Sequence, residues 1–132
     1  MKVGSEIAIN VLLVAIGGAL GAISRYLLGG WIQSHTGSTF PWSTFIINVS
    51  GAFLIGIVLG FVERGILPAN ARLLLATGVL GGYTTFSTFS LETMSLLISG
   101  SKEMALLNTI GQTVIGLIAV FSGLILVRSV MA

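Results

Sequence analysis

The stretch GGYTTFSTFS, residues Gly81 to Ser90, interrupts a chain that is otherwise dominated by Leu, Ile, Val, Ala and Gly. It contains two glycines, three aromatic residues and five serines or threonines, and it has no charged residue. Apolar runs precede and follow it, so it falls within a segment hydrophobic enough to lie in a membrane. The glycines weaken a helix there. A break at this depth leaves backbone groups that protein, water or an ion must satisfy.

The composition around this stretch predicts an integral membrane protein. Of the 132 residues, 55% are hydrophobic and 8% are charged, whereas a soluble domain has about 25% charged residues. The chain has no cysteine and a single histidine, His35, so we expect no disulfide, no thiolate site and no histidine pair for a metal. The net charge of +2 comes without a Lys/Arg cluster, and we expect no nucleic-acid partner.

The polar residues do not predict an enzyme. The four acidic residues are scattered along the chain, and there is neither a Ser/His/Asp set nor a glycine-rich phosphate loop. These are the groups that acid/base, nucleophilic and phosphoryl-transfer chemistry need. We therefore expect a binding or transport function.

Four segments are long and apolar enough to cross a bilayer, which takes about 20 helical residues. We predict an all-α membrane protein, a single transmembrane domain over residues 1–132, with helices at about 7–31, 42–62, 72–98 and 105–127. We expect the third helix to be broken in mid-membrane, near residues 81–84. Pro41 and Pro68 fall at predicted helix starts. The N-terminal apolar run could be mistaken for a signal peptide, but Glu6 lies where a cationic region would be needed, and we expect a retained first span.

Glycines four residues apart recur in the predicted spans. Such pairs let helices approach closely in lipid. We expect most of them to be packing residues, namely the pairs Gly17 and Gly21, Gly56 and Gly60, and Gly78 and Gly82.

The charges outside the spans give only a small bias in orientation. With four spans, the side that holds both termini carries Lys2, Arg64, Arg72 and Arg128, and the other side carries Lys102 and, at the end of the first span, Arg25. The positive-inside rule favours cytoplasmic termini. A bias this small is compatible with insertion in both orientations.

Polar side chains inside the predicted spans are the candidate functional residues, because they are costly in lipid. Asn48 in the second span is either an interhelical hydrogen-bond partner or a ligand for a substrate or in a pore. Asn108 and Gln112 share one face of the fourth helix, which we expect to border a wet cavity. The others are Arg25 in the first span, Thr84, Thr85, Ser87, Thr88, Ser90 and Glu92 in the third, and Thr109 and Thr113 in the fourth.

The phenylalanines of the opening stretch, Phe86 and Phe89, are three residues apart and therefore lie on one helix face. An aromatic ring has a positive edge and a negative face. Ring edges turned toward a pathway would favour a small anion over a cation. The alternative is that both rings face lipid or pack in the core, and the spacing alone does not exclude it.

Three stretches resemble the Fluc (CrcB) family of fluoride channels, and the resemblance extends over nearly the whole chain. They are GGALGAISRY, PWSTFIINVSGAFLIG and GVLGGYTTFSTFSLET, one in each of the first three spans. The resemblance implies an antiparallel, dual-topology homodimer of four-helix subunits, inserted in both orientations in the inner (plasma) membrane. It further implies two narrow fluoride pores and a structural Na⁺ at the dimer centre. Such a channel releases F⁻ passively from the cytoplasm and relieves fluoride toxicity.

The same resemblance implies roles for particular residues. Those at the fluoride pore are Asn48, Phe86 and Phe89, the hydroxyls of Ser87 and Thr88, and the polar row of Asn108 and Gln112. Arg25 and Glu92 are implied at the pore mouth, and the backbone carbonyls of Gly81 and Thr84 are implied as Na⁺ ligands. Gly116 and Val120 depart from the family pattern, because hydroxyls often occur at these positions.

Two other classes of protein compete with this interpretation. A small multidrug-type cation exporter is also a dual-topology dimer, but it needs a membrane-embedded carboxylate in its first helix, and here Glu6 lies at the very start of that span. A structural subunit of a larger complex would not require the hydroxyl and aromatic stretch, and it would carry no current.

Overall fold

The computed structural model describes residues 2–131. The side chain of Lys2, one of the positive charges predicted on the side of the termini, lies outside the described part. The described residues are almost entirely helical and contain no strand. The helices are α1 (Lys2–Thr36), α2 (Trp42–Glu63), α3 (residues 69–83), α4 (Phe86–Ile98) and α5 (Lys102–Val130). Within α3, Ala69–Arg72 and Gly81–Tyr83 are α-helical and the intervening Leu73–Leu80 form a π-helix.

Three of the helices among the described residues are long and apolar enough to cross a membrane: Val3–Thr36, Trp42–Glu63 and Lys102–Val130. The prediction of an all-α, multi-pass membrane protein is confirmed at this level. The predicted third span, residues 72–98, is divided between α3 and α4. Helix α4 has 13 residues, about 20 Å of helix, whereas the hydrocarbon core is about 30 Å thick. Neither piece alone crosses it.

The backbone between α3 and α4 is extended at two residues. Thr84 has φ −80° and ψ 158°, and Thr85 has φ −149° and ψ 117°. Gly81, Gly82 and Tyr83, which the predicted break included, are helical, and the amide of Thr84 still donates to Leu80 O at 3.0 Å. The interruption therefore lies at the two β-branched threonines, which suit extended backbone, and of the glycines before them Gly82 packs against α1.

Helix α1 packs closely on α3 through its glycines. A Cβ at Gly17 would lie 2.5 Å from Leu74 O and 2.8 Å from Gly78 Cα, and one at Gly21 would collide with Val79 O. Gly82 approaches the backbone of α1 in the same way. The close approach predicted from the glycine pairs is thus confirmed for α1 and α3.

Helix α2 packs along α5, and α4 packs on α5 as well. A Cβ at Gly56 would collide with Val120 O, and one at Gly60 would lie 2.7 Å from Val127 Cβ. The two pieces of the third segment therefore have different neighbours: α3 lies on α1, and α4 lies on α5. The interruption at Thr84 and Thr85 is the point where the segment changes its packing partner.

Polar contacts fasten the C-terminal ends of α2 and α5 to each other. Arg128 pairs with Glu63 at 2.8 Å. The Arg64 guanidinium donates to Arg128 O at 2.8 Å and to Met131 O. Since the last carbonyls of a helix have no intrahelical partner, Arg64 caps the end of α5.

We expect Gly21→Ala to destabilise the folded protein, because the added methyl group has no space against the α3 backbone. Overpacking of this kind costs about 1–3 kcal/mol. The matched control is Gly30→Ala on the same helix, where a Cβ would meet nothing within 4 Å and where alanine is the better helix former. Thermal unfolding midpoints in detergent, followed by size-exclusion chromatography, measure both. Equal midpoints for the two variants would contradict the close α1–α3 contact.

Candidate functional site

The side chain of Asn48 binds both backbone groups of Thr85. Its Oδ1 accepts from the Thr85 amide at 2.8 Å, and its Nδ2 donates to the Thr85 carbonyl at 3.0 Å. An extended residue between two helices has no helical or strand partner, and leaving its groups unpaired in hydrocarbon would be costly. Asn48 therefore satisfies the backbone at the interruption. This is the interhelical hydrogen bond that one of the two alternatives for Asn48 anticipated.

Two amides that would close helical hydrogen bonds are used elsewhere. In a continuous helix the Thr85 amide would donate to Gly81 O, but here it donates to Asn48. The Thr88 amide would donate to Thr84 O, but it donates instead to the Thr85 hydroxyl at 3.3 Å, which caps α4. The carbonyls of Gly81 and Thr84 are thereby left without their intrahelical donors.

A chain of side-chain hydrogen bonds runs from Asn48 across α5 to α4. Asn48 Nδ2 donates to Gln112 Oε1 at 2.8 Å, and Gln112 Nε2 donates to Asn108 Oδ1 at 2.8 Å. Asn108 Nδ2 donates to Thr93 Oγ1 at 2.9 Å, and this hydroxyl donates to Phe89 O at 2.8 Å. Asn108 is 0% exposed. A fully buried amide in an apolar chain is tolerated because its neighbours satisfy it.

A cavity of about 280 Å³ adjoins this chain of amides. It is lined by Asn48, Thr84, Thr85, Phe86, Phe89, Gln112 and Thr113. The two phenylalanine rings are 5.7 Å apart between centroids and tilted by 46°. Phe89 is half-buried, whereas Phe86 is 79% exposed in the single chain. The cavity thus combines amide groups, hydroxyls and the two rings of the opening stretch.

A second polar cavity of about 370 Å³ lies on the other side of Thr85, between α1, α2 and α4. Its lining includes Arg25, Glu92, Ser43, Thr44 and Thr88. The Thr44 hydroxyl donates to Glu92 Oε1 at 2.7 Å, while Glu92 Oε2 is buried with no hydrogen-bond partner among the described residues. Arg25 and Glu92, both predicted at a pore mouth, therefore border one cavity, which is separate from that of the phenylalanines.

The other predicted site residues lie around the interruption. Ser87 is exposed, with its hydroxyl 3.4 Å from Thr85 Oγ1. Gly81 and Thr84 border a third cavity, of about 340 Å³, together with Val120. Gly116 has no atom within 4 Å of the position that a Cβ would take.

Sequence reasoning missed two hydroxyls that the structure brings into the site. Thr93 ends the chain of amides, and Thr44 binds Glu92. Spacing could have indicated both, since Thr93 is four residues after Phe89 and Thr44 is four residues before Asn48, on the same helix faces.

Comparison with known proteins identifies the relatives of this chain. A family model described as "CrcB-like protein, Camphor Resistance (CrcB)" matches residues 12–124. A "Fluoride-specific ion channel FluC" of Thermus thermophilus is 52% identical over 112 residues, which cover 85% of this chain and 88% of that protein. Proteins of the same name from Rhizobium meliloti, 45% identical over 91% of this chain and 97% of the relative, and from Parabacteroides distasonis, 43% identical over 92% and 95%, are also similar. The chain belongs to the CrcB family.

Proposed function

We propose that this chain is a passive fluoride-selective channel that exports F⁻ from the cytoplasm. The observation that carries the proposal is the cavity at the interruption, which brings the amide side chains of Asn48 and Gln112 together with the rings of Phe86 and Phe89. The relatives named as fluoride-specific channels, which match most of the chain, support the same function.

The chemistry of the cavity suits a small anion. Fluoride is strongly hydrated, so a narrow path must replace its water with hydrogen-bond donors at close range. Amide N–H groups and the positive edges of the phenylalanine rings are such donors. The hydroxyl of Thr88, which borders the neighbouring cavity, and that of Ser87, 3.4 Å from Thr85 Oγ1, would add donors outside it. The row that continues to Asn108 extends the polar path along α5.

A passive channel is sufficient for export. Fluoride enters cells as neutral HF in acid surroundings, and the acid dissociates in the cytoplasm and leaves the anion trapped. The inside-negative membrane potential then drives the anion outward through a selective pore. No catalytic step and no coupled ion is needed.

We propose an antiparallel homodimer with two pores as the working unit, inserted in both orientations in the inner membrane. Each subunit would cross the membrane four times, with α3 and α4 together as the broken third span. Phe86, 79% exposed beside polar groups, would gain a second wall to its cavity from the partner.

We propose that a structural Na⁺ is held at the dimer centre by the carbonyls of Gly81 and Thr84. These carbonyls fit a hard cation, because the amides of Thr85 and Thr88 donate elsewhere and leave them available. Two oxygens from each subunit would give four ligands around the symmetry axis. The cation would supply positive charge near the anion path.

We propose that Arg25 and Glu92 act at the entrance, through the cavity that both border. The Arg25 guanidinium would raise the local concentration of anions. The Thr44 hydroxyl donates to one carboxyl oxygen of Glu92 and thereby limits where this side chain can lie.

Purified protein in liposomes should release fluoride and retain chloride. The efflux, measured with a fluoride electrode after potassium permeability is provided, should follow the fluoride gradient without a proton or sodium gradient. Protein-free liposomes are the control. A lack of flux from pure dimer would favour a structural subunit, and proton-coupled uptake of an organic cation would favour the exporter.

Phe86→Ile and Phe89→Ile should each lower fluoride flux per folded dimer by at least about tenfold, the effect of a lost contact of roughly 1.4 kcal/mol with the ion. The matched control is Phe61→Ile on α2, which lies in an apolar groove with Val127 and Met131, away from the cavity, and should leave flux near normal. Fluoride-electrode recordings normalised to size-exclusion-pure dimer separate conduction from stability. Full flux in both cavity variants would remove the rings from the ion path.

Prolonged removal of sodium should abolish fluoride flux, and returning sodium should restore it, because the carbonyls at the interruption would lose their cation. Thr84→Ser should behave as wild type, since the proposed ligand is the backbone and a serine hydroxyl can still donate to Leu80 O as the threonine does. If a sodium gradient alone drove fluoride uphill, a coupled transporter would replace the channel.

A further inference from the structure

The chain of hydrogen bonds from Asn48 to Phe89 O has a single direction, with an N–H or O–H donating at every step toward α4. We propose that this direction makes Gln112 the side chain that donates to the anion, and that Asn48, Asn108 and Thr93 are positioning residues which hold the Gln112 amide in that orientation. The inference rests on the proposed fluoride pathway and adds the assignment of its donor.

The backbone of Thr85 fixes the first amide. A backbone N–H can only donate and a carbonyl can only accept. Asn48 must therefore turn Oδ1 to the Thr85 amide, at 2.8 Å, and Nδ2 to the Thr85 carbonyl, at 3.0 Å. The reversed side chain would set two donors against each other at one contact and two acceptors at the other.

The orientation of Asn48 then passes along the chain. Because Asn48 Nδ2 donates to Gln112, Gln112 must accept with Oε1. Its Nε2 is then the atom that donates to Asn108. Asn108 accepts this bond with Oδ1, and its Nδ2 donates to Thr93 Oγ1. The Thr93 hydroxyl donates to Phe89 O, which is an acceptor only. A backbone group of unambiguous character thus fixes each end of the chain.

Counting hydrogens identifies the free donor. Asn48 Nδ2 has two hydrogens, and both are used, for Thr85 O and for Gln112. Asn108 keeps one hydrogen, but its side chain is completely buried. Gln112 uses one of its two Nε2 hydrogens for Asn108 and borders the cavity with Phe86 and Phe89. Among the three amides, Gln112 is the one with an unused N–H and access to the cavity.

The orientation matters because a primary amide presents partly positive N–H groups at one end and a partly negative carbonyl oxygen at the other. A glutamine that turned its carbonyl into the cavity would attract cations and repel fluoride. Thr93 supports the useful orientation from the far end, because its oxygen accepts the Asn108 N–H that would otherwise have no acceptor. Without that acceptor, the Asn108 amide could reverse and present Nδ2 to Gln112 in place of Oδ1.

Two substitutions at Gln112 test the donor. Gln112→Met keeps the length of the side chain and removes the amide, and it should lower fluoride flux per dimer about tenfold or more, as expected for a lost hydrogen bond to a charged group. Gln112→Glu offers only acceptors when ionised and should lower flux further. Wild-type flux in Gln112→Met would overturn the proposal while leaving the fluoride channel intact.

Thr93 provides the test of positioning. Thr93→Val should lower the ratio of fluoride to chloride flux, and Thr93→Ser, which keeps the hydroxyl, should restore it. The matched control is Thr109→Val on α5, because this exposed hydroxyl donates to Ala105 O and takes no part in the chain. An unchanged ratio in Thr93→Val would remove Thr93 from the proposal.

Nuclear magnetic resonance of the ¹⁵N-labelled full-length protein in detergent identifies the side chain that donates to fluoride, independently of any flux measurement. Titration with sodium fluoride should shift the Gln112 side-chain NH₂ signals, while the Asn48 signals stay in place and sodium chloride has no effect. Shifts at Asn48 alone would overturn the assignment, even if Gln112→Met fails to fold. Fluoride efflux from wild-type liposomes, measured alongside, shows separately whether the channel function itself holds.

Discussion

The two hydrogen bonds between the Asn48 side chain and the backbone of Thr85 are the contacts on which the site depends. They replace, at one residue, the pairing that a helix or a sheet would supply. Hydrocarbon cannot serve this purpose for a chain that crosses a membrane, and an unpaired N–H or C=O that faces it costs several kcal/mol. The extended backbone at Thr84 and Thr85 can therefore exist where α2 brings an amide to it.

The packing of the other helices follows from this interruption. Glycines let α1 lie directly on the backbone of α3, and α4 is free to pack on α5 because the two pieces are joined by extended residues. This exchange of neighbours brings Phe89 and Thr93 of α4 beside Asn108 and Gln112 of α5. A continuous third helix would keep one set of neighbours and could not present both its free carbonyls and its aromatic rings to the same region.

Much of this arrangement could be predicted from the sequence, and the reasons for the rest are physical. Low charge and long apolar runs indicated membrane helices, and glycine spacing indicated the close contact of α1 with α3. The position of the interruption could not be fixed in this way, because Gly81 and Gly82 stay helical and the two threonines adopt the extended backbone. Spacing could have indicated that Thr93 shares a face with Phe89. The hydrogen bonds of Asn48 to the Thr85 backbone, and of Asn108 to Thr93, depend on how the helices meet, which no single helical face reveals.

A path for a strongly hydrated anion must hold its donors in place before the ion arrives, because ordering them afterwards would consume binding free energy. Side-chain amides are poor donors when free to rotate, since either end can face the ion. Here each amide is held by the next, and the backbone of Thr85 and the carbonyl of Phe89 hold the ends. The interrupted helix thus supplies both the cavity and the fixed reference that orients the polar groups around it. Glycines elsewhere in the bundle permit the close helix contacts around this site.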